Sequence, residues 1–291
     1  MKLTQHFSRN KPAMSFEVFP PKTVSSMDSV IRATQAMAQL HPAFMSVTYG
    51  AGGGTSRYTL EIASRIEKDY GVPTLAHLTC VSSTRETISQ RIADLKAVGL
   101  KNVMALRGDL TPEQMDSDPS TWDYRHATDL IRELASGGDF CIGGACYPEK
   151  HPESATQAED IDHLKEKVDA GCSFLTTQMF FDNALLYRFL DTIRAAGIGV
   201  PVVAGIMPIT AASQIHRAIA LSGSYVPAEL LALADKYCDD PAAMKQAGIA
   251  YAIDQVTDLY AKGVYNVHIY SMNKPEVAQQ IQSSVSGILK P

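Results

Sequence analysis

The chain has 291 residues, 45% of them apolar and 20% charged, an ordinary globular balance with enough length to bury a substantial core. A formal net charge of −5 leaves no basic footprint, so nucleic acid is not an expected partner. No apolar run is long enough to span a membrane, and Met1–Arg9 lacks the apolar stretch of a secretion signal, so a cytoplasmic protein is expected.

In chain order, the first β-rich run is Ser15–Phe19, ended abruptly by Pro20-Pro21. Inside it stands one carboxylate, Glu17, which is costly to bury ionised unless it is paired or has work to do. Burial would raise its pKa and suit it to deliver a proton near neutral pH; a satisfied buried Glu, or one reaching water at a strand end, is the alternative. Seven more runs follow: Phe44–Tyr49, Thr74–Cys80, Asn102–Leu106, Phe140–Tyr147, Phe174–Phe180, Val200–Met207 and Asn266–Tyr270. Helical patterns alternate with them at Met27–Leu40, Tyr58–Tyr70, Thr84–Ala97, Ala127–Ala135, Thr156–Ala170, Asn183–Ala196, Ser213–Ala220 and Ile249–Ala261. Asn183 reads as an N-cap, and Gly71, Gly99, Gly171 and Gly263 as helix stops.

Strict βα alternation implies a parallel sheet, and eight repeats fit a closed (β/α)8 TIM barrel. An open doubly wound sheet is the competitor, but it would place a glycine-rich fingerprint where Pro20-Pro21 stands. No linker divides the chain, so a single domain over residues 1–291 is expected, with an extra helical segment near 222–246.

Active sites of such barrels lie at the C-terminal strand ends. Those ends are polar here: Glu17, Thr48-Tyr49, His77 with Thr79, Arg107-Gly108-Asp109, Tyr147 with Glu149 and His151, Gln178, and Tyr270 with Asn273. Arg107 and Asp109 offer opposite charges around a glycine that lets a ligand approach, or they simply pair across the loop. Gly143-Gly144 suggests close approach of a flat ligand, or a strand kink. Asp160, His163 and Lys167 share one helix face beside the apolar stripe Ile161, Leu164 and Val168, as a solvated shoulder or as groups for a cofactor's ribose or phosphate. Gly50-Ala51-Gly52-Gly53-Gly54-Thr55 matches no phosphate-binding fingerprint and reads as a loop at the mouth.

Five cysteines (Cys80, Cys141, Cys146, Cys172, Cys238) without a secreted-domain pattern are expected to be reduced. Cys141 and Cys146 should point to opposite faces of their strand, and no Cys-x-x-Cys or His-Glu-x-x-His motif supports a protein-held metal. No G-x-S-x-G elbow supports a serine nucleophile.

The strand-end set as a whole resembles methylenetetrahydrofolate reductase of the bacterial, single-domain type. The matching stretches are Ser15–Lys22, Ser46–Ala51, His77–Cys80, Ala105–Asp109, Tyr147–Glu153, Lys167–Gly171, Gln178–Asp182, Gly205–Pro208 and His268–Asn273, in the family's order over almost the whole chain. The resemblance implies a (β/α)8 barrel that holds FAD and reduces 5,10-methylenetetrahydrofolate to 5-methyltetrahydrofolate with NADH or NADPH, serving methionine biosynthesis. It makes Glu17 the general acid toward the folate N10 nitrogen and Asp109 the stabiliser of the developing cation. Gln178 and Tyr270 would bind the folate. Thr48, His77, Arg107, Gly108, Asp109, Ala145, Tyr147, His151, Asp160, His163 and Lys167 would hold FAD, and a homo-oligomer is implied. Two positions depart from the pattern. Ala212 stands where an aromatic can stack on nicotinamide or folate, and Glu166 replaces a basic residue on the flavin-binding helix. A relative fed electrons by a partner redox protein, or a folate- or flavin-binding barrel without turnover, are the rival readings.

Overall fold

The computed structural model describes residues 1–7, 11–21, 23–49, 56–110, 115 and 117–289. The glycine-rich stretch Gly50–Thr55 lies outside the described residues. Eight parallel strands close on themselves in sequence order: β1 Ala13–Val18, β2 Met45–Val47, β3 Thr74–Thr79, β4 Asn102–Leu106, β5 Cys141–Cys146, β6 Phe174–Thr177, β7 Val202–Ile206 and β8 Asn266–Ile269. The seam pairs Ala13 with Asn266 and Phe16 with Ile269. This is the (β/α)8 barrel that the alternation implies, built as one domain. Most strands are shorter than their apolar runs, because the polar residues at their C-terminal ends turn away into loops.

Two apolar layers sandwich the barrel wall. Outward strand residues such as Phe16, Val18, Val103 and Leu175 pack under the helices in the main core. Inward residues near the N-terminal strand ends, among them Phe44, Leu75, Met104, Cys141, Phe174 and Val203, fill the barrel. The short helix Thr4–Phe7 plugs that end: Leu3 and Phe7 join the inner cluster, and the Leu3 amide donates to Asn102 Oδ1 at 2.9 Å. The barrel is therefore solid at one end, and open space remains only at the other. Cys141 belongs to the inner cluster and Cys146 to the outer one, on opposite faces of β5.

Helix starts follow side-chain capping. Thr84, Thr156 and Asp240 each accept an amide hydrogen bond from the first turn that follows. The helix Asn183–Ala195 is capped by Asp182, which accepts from the Ala184 amide at 2.8 Å, and not by Asn183 as its sequence suggests. Asn183 Nδ2 instead donates to Gln255 O and Asp258 Oδ2, tying that helix to the long helix Pro241–Ala261.

Three helices stand between β7 and β8: Ser213–Ser222, Ala228–Lys236 and Pro241–Ala261. They enclose a separate apolar cluster of Phe181, Ile209, Ile215, Val226, Leu230 and Met244. The last of them begins eight residues before the expected Ile249. Gly248 sits inside it, where a Cβ would lie 1.6 Å from Ile209 O and only glycine fits. A further helix, Pro275–Ser284, follows β8 and closes the barrel wall; the sequence reading places none there.

Candidate active site

At the C-terminal strand ends lies a cavity of about 940 Å³. Every residue assigned to a site by the sequence reading lines it, from Glu17 on β1 through His77, Arg107, Ala145 and Gln178 to Tyr270 after β8. Two polar strand-end residues do not. Glu149 accepts the Tyr225 amide at 2.7 Å, and Asn273 clamps both the amide and the carbonyl of Phe19. These two side chains pin loops.

The floor on the β1–β3 side carries the acid. Glu17 is 6% exposed, and burial pushes its pKa from 4.5 up to about 8, outweighing the Ser46 hydroxyl, which acts the other way. His77 Nε2 stands 4.0 Å from Glu17 Oε2. Desolvation drives His77 down to about 4 and His268 down to about 3, the latter helped by the neighbouring His77. At neutral pH the three groups are therefore a protonated carboxyl and two neutral imidazoles, with no ion pair between them.

Hydrogen bonds assign the His268 tautomer. The Ser15 hydroxyl donates to Val267 O at 3.1 Å, so at 2.7 Å it accepts from His268 Nδ1. Nε2 is then the acceptor and takes the Ser46 hydroxyl at 2.9 Å. The ring of His268 stacks on Phe44 at 5.3 Å and meets Tyr270 edge-on at 5.4 Å, so it cannot swing out of this network. The Tyr270 hydroxyl donates to Thr177 O at 2.7 Å, and Gln178 Oε1 accepts the Met179 amide at 2.9 Å, which leaves the amide NH2 group of Gln178 for the cavity.

The opposite wall, from β4, β5 and the helix Gln157–Asp169, carries the cations. Arg107 donates through both terminal nitrogens to the two carboxylate oxygens of Glu153 at 2.6 Å each. This fork replaces the Arg107–Asp109 pairing considered from sequence, and Asp109 stands exposed at the rim. Lys167 reaches inward and donates to Ala145 O at 3.0 Å, and burial lowers its pKa. Asp160 is no solvated shoulder. It is buried and accepts from the His151 amide and the Ser154 hydroxyl at 3.2 Å each, so it shapes the loop after β5. His151 in turn packs edge-on against Tyr147 at 4.6 Å. His163 remains exposed on the rim.

Gly108 has φ +93°, and a Cβ there would lie 2.8 Å from Val81 Cγ1, so bare backbone faces the cavity at this turn. Gly143 and Gly144 have a different cause. A Cβ on Gly143 would strike the Phe174 ring at 2.5 Å inside the barrel, and one on Gly144 would press on Cys172 Sγ at 3.0 Å outside it. Packing requires these two glycines, and neither lines the cavity. Glu166 does line it, whereas Ala212 packs against the apolar cluster of the β7–β8 helices.

Sequence reasoning missed Ser46, Thr176 and His268. Each lies two residues before a residue it did find (Thr48, Gln178, Tyr270) and so projects to the same inner face one layer deeper. Stepping back by two along each strand is the signal that finds them.

A cavity whose lining includes Lys167, Arg107 and the bare turn at Gly108 fits a flavin dinucleotide in its donor chemistry. Among the described residues no helix is long and apolar enough to cross a membrane.

Comparison with known proteins shows the family. Residues 2–286 match the family model described as methylenetetrahydrofolate reductase. The 5,10-methylenetetrahydrofolate reductase of Pectobacterium carotovorum subsp. carotovorum is 35% identical over 268 residues, 92% of this chain and 88% of that protein. The Escherichia coli protein of the same name is 34% identical with the same coverage. Methylenetetrahydrofolate reductase (NADH) 1 of Arabidopsis thaliana is 33% identical over 99% of this chain, which spans about half the length of that relative (49%). A solved structure with TM-score 0.65 covers 97% of each chain at 14% identity, and so shares the fold; it is an uncharacterized protein from Clostridium thermocellum described as binding two copies of 5-methyl-5,6,7,8-tetrahydrofolic acid. The chain belongs to the methylenetetrahydrofolate reductase family.

Proposed function

We propose that this chain reduces 5,10-methylenetetrahydrofolate to 5-methyltetrahydrofolate with FAD as resident cofactor and NADH or NADPH as electron donor. The observation that carries the reading is Glu17: a carboxyl kept protonated at neutral pH, on the floor of a cavity whose far wall supplies cations. Glu17 delivers its proton to the N10 nitrogen of the folate; the bond from N10 to the bridging methylene carbon breaks, leaving a cationic iminium on the pterin side. FAD, when bound and reduced by two electrons from the nicotinamide nucleotide, would supply the hydride that turns this carbon into the methyl group. Asp109, at the rim, stabilises the cation as it develops. Gln178 presents its amide NH2 group to the folate, with Tyr270 beside it. Arg107 and Lys167, with Thr48, His77, Gly108, Ala145, Tyr147, His151, Asp160 and His163, would hold the cofactor. After turnover Glu17 is ionised among neutral partners, and the cost of that state favours its reprotonation before the next cycle.

The test separates the two half-reactions by anaerobic stopped-flow absorbance. Glu17→Gln should keep flavin reduction by the nucleotide within about threefold and slow flavin reoxidation by the folate by ~10³, the scale of a lost general acid. Equal losses in both halves would remove Glu17 from the acid role. Wild-type flavin that neither NADH nor NADPH bleaches would transfer the electron supply to a partner redox protein, the reading that Ala212 motivates. Absence of methyltetrahydrofolate formation with chemically reduced flavin would leave a binding barrel without turnover. Homo-oligomeric assembly, which the family resemblance implies, is read by light scattering.

A further inference from the structure

β6 ends in two adjacent threonines in opposite circumstances. Thr177 is satisfied twice: its Oγ1 accepts the Gly205 amide at 2.9 Å, and its carbonyl accepts the Tyr270 hydroxyl at 2.7 Å. Thr176 is 6% exposed and lines the cavity, yet its buried Oγ1 has no hydrogen-bond partner. Strand alternation places it on the inner face between Phe174, deeper in the barrel, and Gln178 at the mouth. Its register partner on β5 is Ala145, whose carbonyl holds the Lys167 ammonium, and on β7 it is Val203. The hydroxyl therefore sits in the floor beneath the cationic wall.

Packing alone gives no reason for threonine here. Valine has nearly the same shape and is as good a strand former, whereas a buried hydroxyl left unsatisfied costs ~1–3 kcal/mol. Buried polar groups that stay unpaired in native proteins call for a role. The two nearby ladder carbonyls make their own bonds, Ala145 O with Lys167 and Thr177 O with Tyr270, and neither takes the Thr176 hydroxyl.

We propose that Thr176 is a cofactor-binding residue whose hydroxyl donates a hydrogen bond to an acceptor atom of the planar flavin ring. The inference rests on the FAD reading above and assigns it a further residue. A donor at the ring binds more strongly once reduction has placed negative charge there, so Thr176 also raises the flavin's reduction potential.

The experiment uses full-length apoprotein and holoprotein of wild type, Thr176→Val and Thr176→Ser. FAD affinity is read by quenching of flavin fluorescence, the midpoint potential by equilibration with a reference dye, and apoprotein stability by thermal melting. Thr176→Val should melt at or above the wild-type temperature, bind FAD at least fivefold more weakly, and lower the potential by about 30 mV, the equivalent of a tenfold preference for a two-electron couple. Thr176→Ser should restore affinity and potential to within twofold. Unchanged FAD affinity and potential in Thr176→Val overturn the proposal, as does a loss confined to folate binding. A lower melting temperature of the Thr176→Val apoprotein overturns its premise, because the hydroxyl would then be bonded inside the protein. Wild-type protein that binds no FAD fails the cofactor reading itself, a result distinct from a silent Thr176→Val.

Discussion

Replacing Glu17 by Gln should make the protein more stable, and increasingly so as pH rises. The carboxyl has an ordinary pKa of 4.5 and about 8 in the fold, where it is 6% exposed, so solvent screening takes little from the effect. At about 1.4 kcal/mol per pH unit, this gap opposes the ionised native state by about 5 kcal/mol. Below pH 4.5 both folded and unfolded chains hold the proton and nothing is lost. Between 4.5 and 8 the unfolded chain releases it while the native chain keeps it, so unfolding gains with pH; above 8 the full penalty applies. At pH 7 most of that cost, about 3 kcal/mol, is already present by the same scale. His77 and His268, held at about 4 and about 3 against 6.5, act in the opposite sense, because below 6.5 the unfolded chain takes up protons that the native chain refuses. Stability contributed by these three groups is thus greatest near pH 6.5: below it the two histidines lose more with falling pH than Glu17 regains, and above it only the Glu17 cost grows. Glu17→Gln removes only the alkaline loss. Urea denaturation of both apoproteins at pH 4.5, 7 and 9 isolates it, since every other titration cancels in the difference between them. The advantage of Glu17→Gln should grow by several kcal/mol from the lowest pH to the highest. A difference that stays constant over that range would mean that Glu17 titrates as an exposed carboxylate, and the argument for a protonated acid on the cavity floor would fail with it.

Two glycines carry predictions of their own. Gly248→Ala would place its Cβ 1.6 Å from Ile209 O, a backbone atom that cannot yield as a side-chain tip does, so a loss of about 3 kcal/mol or more is expected in urea denaturation; a wild-type midpoint would show that the helix Pro241–Ala261 sits further from β7 than described. Gly205→Ala would bring Cβ within 2.4 Å of Tyr270 Oη and 2.6 Å of Thr177 O, breaking the bond between those two and tilting the Tyr270 ring into the cavity. Folate affinity should fall about tenfold, on the scale of one hydrogen bond and its packing, with FAD affinity changed less; equal losses for both ligands would place Tyr270 away from the folate.

How much of this was legible in the chain depends on the distance over which each feature is determined. The barrel follows from local signals repeated eight times, and β4 has the bounds its apolar run suggests, because Asn102 and Leu106 are flanked by loop chemistry. Polar strand ends converge on one rim by topology alone, so the lining residues could be found without knowing any contact. What the sequence could not show is which polar groups hold each other. Asp182 and Asn183 are both good caps in isolation, and Asp258 on a helix dozens of residues away draws the Asn183 side chain off. Gly248 falls within the helix Pro241–Ala261, and its need for glycine shows only when Ile209 O is brought against it.

Glu17 and His77 show the same limit in its sharpest form. Two such residues on neighbouring rim positions look like an ion pair, and at 4.0 Å the geometry alone would agree. Depth decides otherwise. Desolvation acts on both groups at once, raising one pKa and lowering the other until they cross, so that at neutral pH the proton rests on the carboxyl and neither carries charge. Placed a layer higher, in water, the same pair would ionise, and Glu17 would have no proton to give. What the barrel contributes to the proposed acid role is therefore the level at which it sets Glu17: deep enough that desolvation outweighs the Ser46 hydroxyl and keeps the proton on the carboxyl, yet still open to the cavity where a substrate nitrogen can take it.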